Sequence, residues 1–265
     1  MKGRAVPVEM HTYCPVCERS GVQFAPLPDF YRQTSMQHGF RHFGRMEMIA
    51  LNSYACQACG ASDRERLYGW WLNQQIEAGK LKKGMRVLHF APEAALSKKL
   101  RQLGLFDYRT ADFMMPGVDY NIDIMNMPLE DESFDFFICS HVLEHVADDN
   151  LAVRELSRIM HRDGCGILMA PICLDISETL EDPSATSEAE RWRLFGQNDH
   201  VRLYSHPGYV STLERNGFAV QQLGFDAIGQ TVFTRLGLSQ TSILYIVTRT
   251  PRPEHPHAGT PDHEH

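Results

Sequence analysis

The most specific chemistry in the chain belongs to four cysteines that form two CxxC pairs: Cys14 with Cys17, and Cys56 with Cys59. Two thiolates at this spacing can bind the same metal ion, and two such pairs complete a tetrahedral four-thiolate site. A site with four protein ligands leaves no open position for water, so the zinc ion that it predicts is structural. We expect zinc binding to replace the hydrophobic core that so short a segment lacks.

The cysteine spacing leaves two alternatives open. His38 and His42 are four residues apart, would share one helical face, and could replace some of the thiolates. The segment could also bind no metal. A redox role is disfavoured, because neither pair opens a helix directly after a predicted parallel strand.

A second group of polar residues follows predicted strands in the main part of the chain. Asp112 ends one strand, Asp123 lies in a later loop, and Ser140 and His141 end the apolar strand 134–139. Ligands bind outside the carboxyl ends of strands in parallel α/β sheets. We therefore expect these side chains on the ligand side of a sheet. His141 and His145 could also bind a metal together, but the sequence indicates no third ligand for it.

The elements that must position these residues alternate between strand and helix. Apolar patterns predict strands at 85–90, 108–111, 134–139, 166–170, 218–225 and 242–248. Helical spacing predicts helices at 62–79, 93–103, 149–161 and 207–216, the first opened by the capping box of Ser62 and Glu65. The alternation is typical of an α/β fold with a doubly wound, mostly parallel sheet, closed by an antiparallel edge hairpin.

Four parts are expected along the chain. They are a zinc-ribbon-like module at 1–61, a connecting helix at 62–84, the main domain at 85–250 and a disordered tail at 251–265, which is rich in proline and histidine. The chain has no apolar stretch long enough to span a bilayer and no apolar signal region near Met1, so we expect a cytoplasmic protein.

Charge is uneven between the two ends of the chain. Residues 1–85 carry 11 Lys and Arg against 7 Asp and Glu, whereas residues 86–265 carry 15 against 26. So acidic a main domain counts against binding to a nucleic-acid backbone. The aromatic and arginine residues of 38–45 could stack on bases, although a β-rich cover over the zinc site is the plainer interpretation.

Residues 123–146, DIMNMPLEDESFDFFICSHVLEHV, strongly resemble the middle of class I S-adenosylmethionine (SAM) methyltransferases of the small-molecule and quinone-type branch. The resemblance covers residues 13–250 and is strongest at 107–171. It implies a Rossmann-like methyltransferase fold, SAM as the cofactor, and a small or carrier-bound methyl acceptor. No oligomeric state is predicted.

The resemblance also implies a cofactor site. Asp112 takes the place of the carboxylate that accepts both ribose hydroxyls, as an ionised acid can. Phe113 and Met114 would cover the adenine, and Asp123 with the backbone of Ile124 would meet the adenine amine. Ser140 and His141 would lie close to the sulfonium.

The first loop, VLHFAPEAA, departs from the family pattern. His89 stands where an acid is usual, and Ala91 and Glu93 stand where glycines are usual. Glycine lets backbone approach a ligand closely, so its absence counts against a close backbone contact with the methionine part of SAM. Glu93 either binds the ammonium group of SAM or caps the following helix.

The acceptor is expected beside Asp199, His200 and Arg202, in the segment 182–204 between two late strands. Methyl transfer is a direct displacement, so alignment of the acceptor dominates catalysis. His200 is the first candidate for the base that removes the acceptor proton, and His141 is the second. Arg202 could bind a carboxylate or phosphate of the acceptor, or the segment could be a solvated loop with a structural Asp–Arg pair.

Two other functions remain open. The chain could be a non-catalytic methyltransferase fold that binds a partner through its zinc module, as the glycine-poor loop would allow. It could also methylate nucleic acid, with the zinc module and its Arg41 and Arg45 as the grip. A dehydrogenase is disfavoured, because no GxGxxG follows the first strand of the main domain.

Overall fold

The structure is a computed structural model that describes residues 11–250, so the predicted tail at 251–265 lies outside the described range. An N-terminal module contains two short antiparallel ladders and one helix. Its elements are β1 (Tyr13–Cys14) paired with β2 (Arg19–Ser20), and β3 (Phe24–Ala25) paired with β4 (Ala55–Cys56), with α1 (Asp29–His38) between them. One cysteine of each CxxC pair therefore lies on a ladder.

Helix α1 ends at His38, so His42 does not lie on the same helix. Gly39 follows its last residue with φ of +72°, a left-handed conformation that glycine adopts without strain. The ring of His38 stacks on that of Trp192, and His42 lies beyond the helix near Asp175. The alternative in which the two histidines form a ligand pair on one helical face is therefore ruled out.

The connecting helix is α2 (Asp63–Glu77), and it begins at the predicted capping box. Ser62 Oγ accepts from the backbone N–H of Glu65, and the Glu65 carboxylate accepts from the backbone N–H of Ser62. A Cβ on Gly69 would lie 3.1 Å from Val16, so the helix packs closely on the module. On the other side, Trp71 stacks on Phe136 of the main core.

The main domain alternates strands and helices, as predicted. Its elements are β5 (Arg86–Phe90), α3 (Ala94–Leu103), β6 (Asp107–Asp112), β7 (Tyr120–Asn121), β8 (Phe134–Ser140), α4 (Asp149–Ile159), β9 (Met160–Met169), β10 (Ile172–Cys173), β11 (Leu180–Glu181), α5 (Glu188–Phe195), β12 (Arg202–Ser205), α6 (His206–Arg215), β13 (Phe218–Leu223), α7 (Phe225–Ile228), α8 (Gln230–Leu236) and β14 (Leu244–Arg249). Among residues 11–250, no helix combines the length and apolar character needed to cross a membrane. The expected cytoplasmic location stays a prediction.

Seven strands form the central sheet in the order β13-β14-β9-β8-β5-β6-β7. Strands β5 to β9 run parallel, and β14 is antiparallel to both of its neighbours. The prediction of a doubly wound, mostly parallel sheet with an antiparallel pair at its edge is confirmed. The chain winds outward from β5 to β7 and then returns to β8, so the β5–β8 boundary is the switch point where ligands bind in such sheets.

Three short strands form a second sheet in the order β10-β12-β11. It contains part of the predicted acceptor segment, and α5 precedes its strand β12. The module reaches this sheet through the backbone N–H of Glu47, which donates to the carbonyl of Ile172. The module and the main domain thus pack into one body.

Arg66 of α2 is the main polar link between the module and the main domain. Its side chain is fully buried and lies over the ring of Phe24, 3.9 Å from its centre. The guanidinium donates hydrogen bonds to five backbone carbonyls, those of Ser53, Tyr54, Ala61, Leu236 and Gly237. The first three belong to the module and the last two to the end of α8.

We expect Arg66→Met to lower the free energy of unfolding by about 3 kcal/mol or more, because several buried carbonyls would lose their donor at roughly 1–3 kcal/mol each. Arg162→Met is the matched control, since that side chain is 73% exposed and should matter by less than about 0.5 kcal/mol. Urea unfolding followed by circular dichroism measures both. Equal effects of the two substitutions would contradict the role given to Arg66.

Candidate active site

Two cavities lie side by side at the carboxyl ends of β5, β6 and β8. The larger has a volume of about 540 Å³ and is bordered by the loops that follow these strands. The smaller, of about 330 Å³, lies between the module and the segments that follow β8 and α5. His141 and His145 line both cavities, so they form the boundary between them.

Most of the predicted cofactor residues line the larger cavity. They are Ala91, Asp112, Phe113, Met114, Asp123, Ile124 and His141. Phe113 and Met114 are 69% and 80% exposed, which is unusual for large apolar side chains. Such exposed apolar groups at a cavity indicate a surface that a ligand can cover.

The carboxylates of Asp112 and Asp123 each use one oxygen to hold their own loop. Asp112 Oδ1 accepts from the backbone N–H groups of Met114 and Met115, each at 2.7 Å. Asp123 Oδ1 accepts from that of Met125 at 2.8 Å. Within residues 11–250 neither Oδ2 takes part in a hydrogen bond, so each aspartate keeps one acceptor for a ligand in the cavity.

Ala91 gives the first loop the backbone shape that glycine would supply. Its φ is +44°, in the left-handed region that costs an L-residue roughly 1–2 kcal/mol. Its N–H donates to the carbonyl of Ala111 on the neighbouring strand. The loop therefore turns at this point although its sequence lacks the usual glycine.

His89 lies behind this loop and outside both cavities. It is fully buried, with Nδ1 2.8 Å from the hydroxyl of Tyr108 and Nε2 2.8 Å from Glu93 Oε2. Both ring nitrogens are thus engaged within the protein. The geometry makes His89 a positioning residue for Glu93, and direct contact with a cofactor stays a prediction.

Glu93 and Arg64 form a partly buried pair of opposite charge, and each has one polar atom without a hydrogen-bond partner among the described residues. These two atoms, Arg64 Nε and Glu93 Oε1, are 3.7 Å apart. Burial opposes ionisation of Glu93, but the hydrogen bond and charge of His89, with the charge of Arg64, outweigh it and lower the pKa. Glu93 makes no capping hydrogen bond to α3, so the capping alternative is not what the structure shows.

Ser140 and His141 end β8 in different environments. Ser140 is buried and shares a hydrogen bond of 3.0 Å with the hydroxyl of Tyr68, so it lines neither cavity. His141 has φ of +58°, and its N–H donates to the carbonyl of Met169. This sharp turn places its imidazole at the boundary of the cavities. Burial and the charge of Arg64 lower the pKa of His141 well below its ordinary value.

The smaller cavity has aromatic walls and a polar end. Phe40 and Phe43 line it from the module, and Phe195 lines it from α5. Residues 38–45 contain no strand, so the expected β-rich cover over the cysteines is not formed by this segment. The polar end is built by Glu144, His145 and His200.

Glu144 is the functional candidate that sequence reasoning missed. It is fully buried, and neither carboxylate oxygen has a hydrogen-bond partner among the described residues. Its Oε1 lies 3.4 Å from His141 Nδ1, 3.8 Å from His145 Nε2 and 3.9 Å from His200 Nε2. Burial raises the pKa of the Glu144 carboxyl to about 8. The signal was the string His141-x-x-Glu144-His145, but the partner His200 is distant in sequence.

The predicted acceptor residues fall in three different places. His200 lines the smaller cavity, and burial together with the neighbouring His145 lowers its pKa to about 4. Asp199 lines the larger cavity. Arg202 lines neither, because its guanidinium donates to Glu181 and to the carbonyls of Leu143, Val146 and Ala147. Arg202 is therefore not placed to bind an acceptor. Its hydrogen bonds instead fix the loop that carries Glu144 and His145.

Residues 86–168 match a protein-family model described as "Methyltransferase domain". The expected resemblance of this part of the chain to a methyltransferase is therefore confirmed. No curated protein matches the sequence as a relative.

Several solved structures are similar to this chain at low sequence identity. A chain of the complex between the Haloferax volcanii Trm112 methyltransferase activator and a protein thought to be a methyltransferase is 15% identical, with a TM-score of 0.45 over 73% of this chain and 94% of that one. The YcgJ protein of Bacillus subtilis is 17% identical, with a TM-score of 0.39 over 68% of this chain and 98% of that one. A Galdieria sulphuraria protein thought to be a sarcosine dimethylglycine methyltransferase is 14% identical, with a TM-score of 0.48 over 78% of this chain and 80% of that one. Likenesses of this order say nothing about the substrate.

The four cysteines lie outside the matched part of the methyltransferase domain. Their sulfurs are all within 4.8 Å of one another, with Cys14 Sγ 3.7 Å from Cys59 Sγ and Cys17 Sγ 4.0 Å from Cys56 Sγ. Sulfurs at the corners of a tetrahedron around zinc, with bonds of about 2.3 Å, are roughly 3.8 Å apart. The cluster therefore has the composition and the spacing of a four-thiolate zinc site.

Arg202→Lys should loosen the loop after β8 of the methyltransferase domain, because an ammonium cannot reproduce the forked contacts of the guanidinium. We expect amide hydrogen exchange at 143–147 to become faster by about tenfold or more. Arg162→Lys, on an exposed side chain, is the control and should leave these amides unchanged. Unchanged exchange in Arg202→Lys would show that the loop is held by other contacts.

Proposed function

We propose that the protein transfers a methyl group from SAM to an oxygen or nitrogen of a small or carrier-bound acceptor. One observation carries this proposal: a cavity at the switch point of a methyltransferase-family sheet is lined by two aspartates that each keep a free oxygen. A second cavity adjoins it across His141. Donor and acceptor would therefore meet at the end of β8.

The larger cavity suits the adenosyl part of SAM. Oδ2 of Asp112 would accept from the ribose hydroxyls, and Asp123 with the Ile124 backbone would meet the adenine amine. Phe113 and Met114 would lose their exposure against the adenine ring, which is favourable at about 25 cal/mol per Å² of apolar surface. These roles follow the family resemblance and fit the lining of the cavity.

The charged end of SAM matches the unused groups of Arg64 and Glu93. A carboxylate could take the free Nε–H of Arg64, which lines the smaller cavity next to His141. An ammonium group could donate to Oε1 of Glu93. This pair would do part of the work that glycine-rich backbone does elsewhere in the family, with Ala91 supplying the turn.

The smaller cavity suits the acceptor. Its aromatic walls would hold an apolar or aromatic body, and its polar end would hold the group to be methylated. The displacement needs the acceptor atom in line with the methyl, and the shared border at His141 provides the approach. Of the two proposed bases, His141 touches both cavities, whereas His200 lies only at the acceptor end.

Neither alternative function gains support from the geometry. The left-handed turn at Ala91 removes the main reason to regard the first loop as degenerate. The aromatic side chains of Phe40 and Phe43 line the smaller cavity, so they are not free to stack on bases of a bound strand.

Asp112→Asn tests the proposed cofactor site. The amide oxygen can still accept from the loop N–H groups, but the amide nitrogen cannot accept from a ribose hydroxyl. Calorimetric titration of the zinc-loaded protein with SAM should show affinity weakened by about 10- to 100-fold. Asp163→Asn, on a remote and exposed side chain, should bind as wild type does. Wild-type protein that is folded and binds no SAM would refute the proposed function.

We also propose structural zinc at Cys14, Cys17, Cys56 and Cys59. Cobalt(II) bound there should give the intense thiolate-to-cobalt absorption, and Cys17→Ser should weaken it and lower the unfolding temperature. Cys165→Ser is the control, since Cys165 lies on β9, outside the cluster. Absorption that is the same in both variants would exclude this ligand set.

A further inference from the structure

Three side chains converge at the polar end of the smaller cavity. One ligand atom each from Glu144, His145 and His200 lies within 4.8 Å of the others. Glu144 and His200 are almost fully buried, and His145 is half-buried. Two histidines and one carboxylate are a common ligand set for divalent transition metals.

Both imidazoles already turn their Nε2 atoms toward Glu144. His200 Nδ1 lies 3.3 Å from the backbone carbonyl of Phe195, and a carbonyl can only accept, so Nδ1 carries the proton. His145 Nδ1 lies 3.3 Å from Asp199 Oδ2, which likewise favours a proton on Nδ1. A neutral imidazole then has its lone pair on Nε2. Metal-binding histidines are generally oriented by such a partner on the other nitrogen.

Glu144 supplies an independent sign of a missing ligand. Both of its oxygens are buried without a hydrogen-bond donor among the described residues. A carboxylate buried in this way is costly unless it is paired or bound to a metal. Its backbone carbonyl accepts from the N–H of Val201, so the segment carrying His200 is tied to Glu144 by the fold itself. The cluster is thus held together without an ion.

We propose that Glu144, His145 and His200 bind one divalent first-row transition metal ion, such as zinc or iron(II), at the acceptor end of the smaller cavity. Three protein ligands leave at least one open position, and the cavity lies directly beside it. An oxygen or nitrogen of the acceptor would occupy that position. This last step rests on the proposed methyl transfer, whereas metal binding itself does not.

The proposed ion is distinct from the one in the cysteine cluster. That cluster has four thiolates and no open position, whereas this set has two nitrogens and a carboxylate. The two sites can therefore be told apart by the spectrum of the same probe ion.

The test is titration with cobalt(II) of protein that carries one equivalent of zinc, enough for the cysteine cluster alone, followed by absorption spectroscopy and calorimetry. We expect about one equivalent to bind with weak ligand-field bands and without thiolate-to-cobalt absorption. Glu144→Gln and His200→Ala should each weaken binding by at least about 100-fold, whereas His161→Ala, on the surface, should not change it. Binding that survives in both ligand variants would overturn the proposal, as would only thiolate-to-cobalt absorption.

Thermal unfolding separates this role from a purely structural one. Glu144→Gln replaces a buried carboxyl group that has no hydrogen-bond partner among the described residues, so without added metal it should be at least as stable as wild type. Cobalt(II) should then raise the unfolding temperature of wild type and leave that of Glu144→Gln unchanged. SAM titration of the same samples separates the metal proposal from the methyl-transfer proposal. SAM binding without cobalt binding would refute the metal site alone.

Discussion

The guanidinium of Arg66 lies in the interior and joins carbonyls of the N-terminal module to carbonyls at the end of α8. The smaller cavity depends on the docking of the module, since the module supplies one of its walls. Arg64, two residues earlier on the same helix, reaches that cavity. The connecting helix therefore contacts the N-terminal module, the main domain and the smaller cavity.

A second buried junction supports the same arrangement. Glu47 of the module accepts from the hydroxyl of Tyr245 on β14 and lies 2.9 Å from His206 Nδ1. Burial raises the pKa of Glu47, although the hydrogen bonds from His206 and Tyr245 oppose the shift. The module is thus held on the central sheet by polar groups that are satisfied only when it is docked.

Local backbone rules are broken where the two cavities meet. Ala91 and His141 follow the neighbouring strands β5 and β8, and both take left-handed conformations that L-residues usually avoid. Such conformations persist only where surrounding contacts enforce them, and they concentrate at functional sites. The left-handed residues at the ends of these strands place Ala91 at the larger cavity and the imidazole of His141 at both cavities.

The sheet and the cysteine cluster could be predicted from sequence because they depend on local periodicity and spacing. The apolar run at 134–139 predicted a buried strand, and Ser62 with Glu65 predicted the start of a helix. The inward direction of His89 could not be predicted, because its partner Tyr108 lies on another strand. The cluster around Glu144 could not be predicted either, because it needs His200 from beyond α5. The structural role of Arg202 was also hidden, because its carbonyl partners precede α4. Helices α7 and α8 were missed because they are short.

The most direct measurement is the crystal structure of the zinc-loaded protein with S-adenosylhomocysteine, the demethylated product. The proposed function predicts the ribose at Asp112, the adenine between Phe113 and the Asp123 loop, and the sulfur beside His141. Product bound elsewhere, or crystals that remain free of it at saturating concentration, would contradict the assignment of the larger cavity.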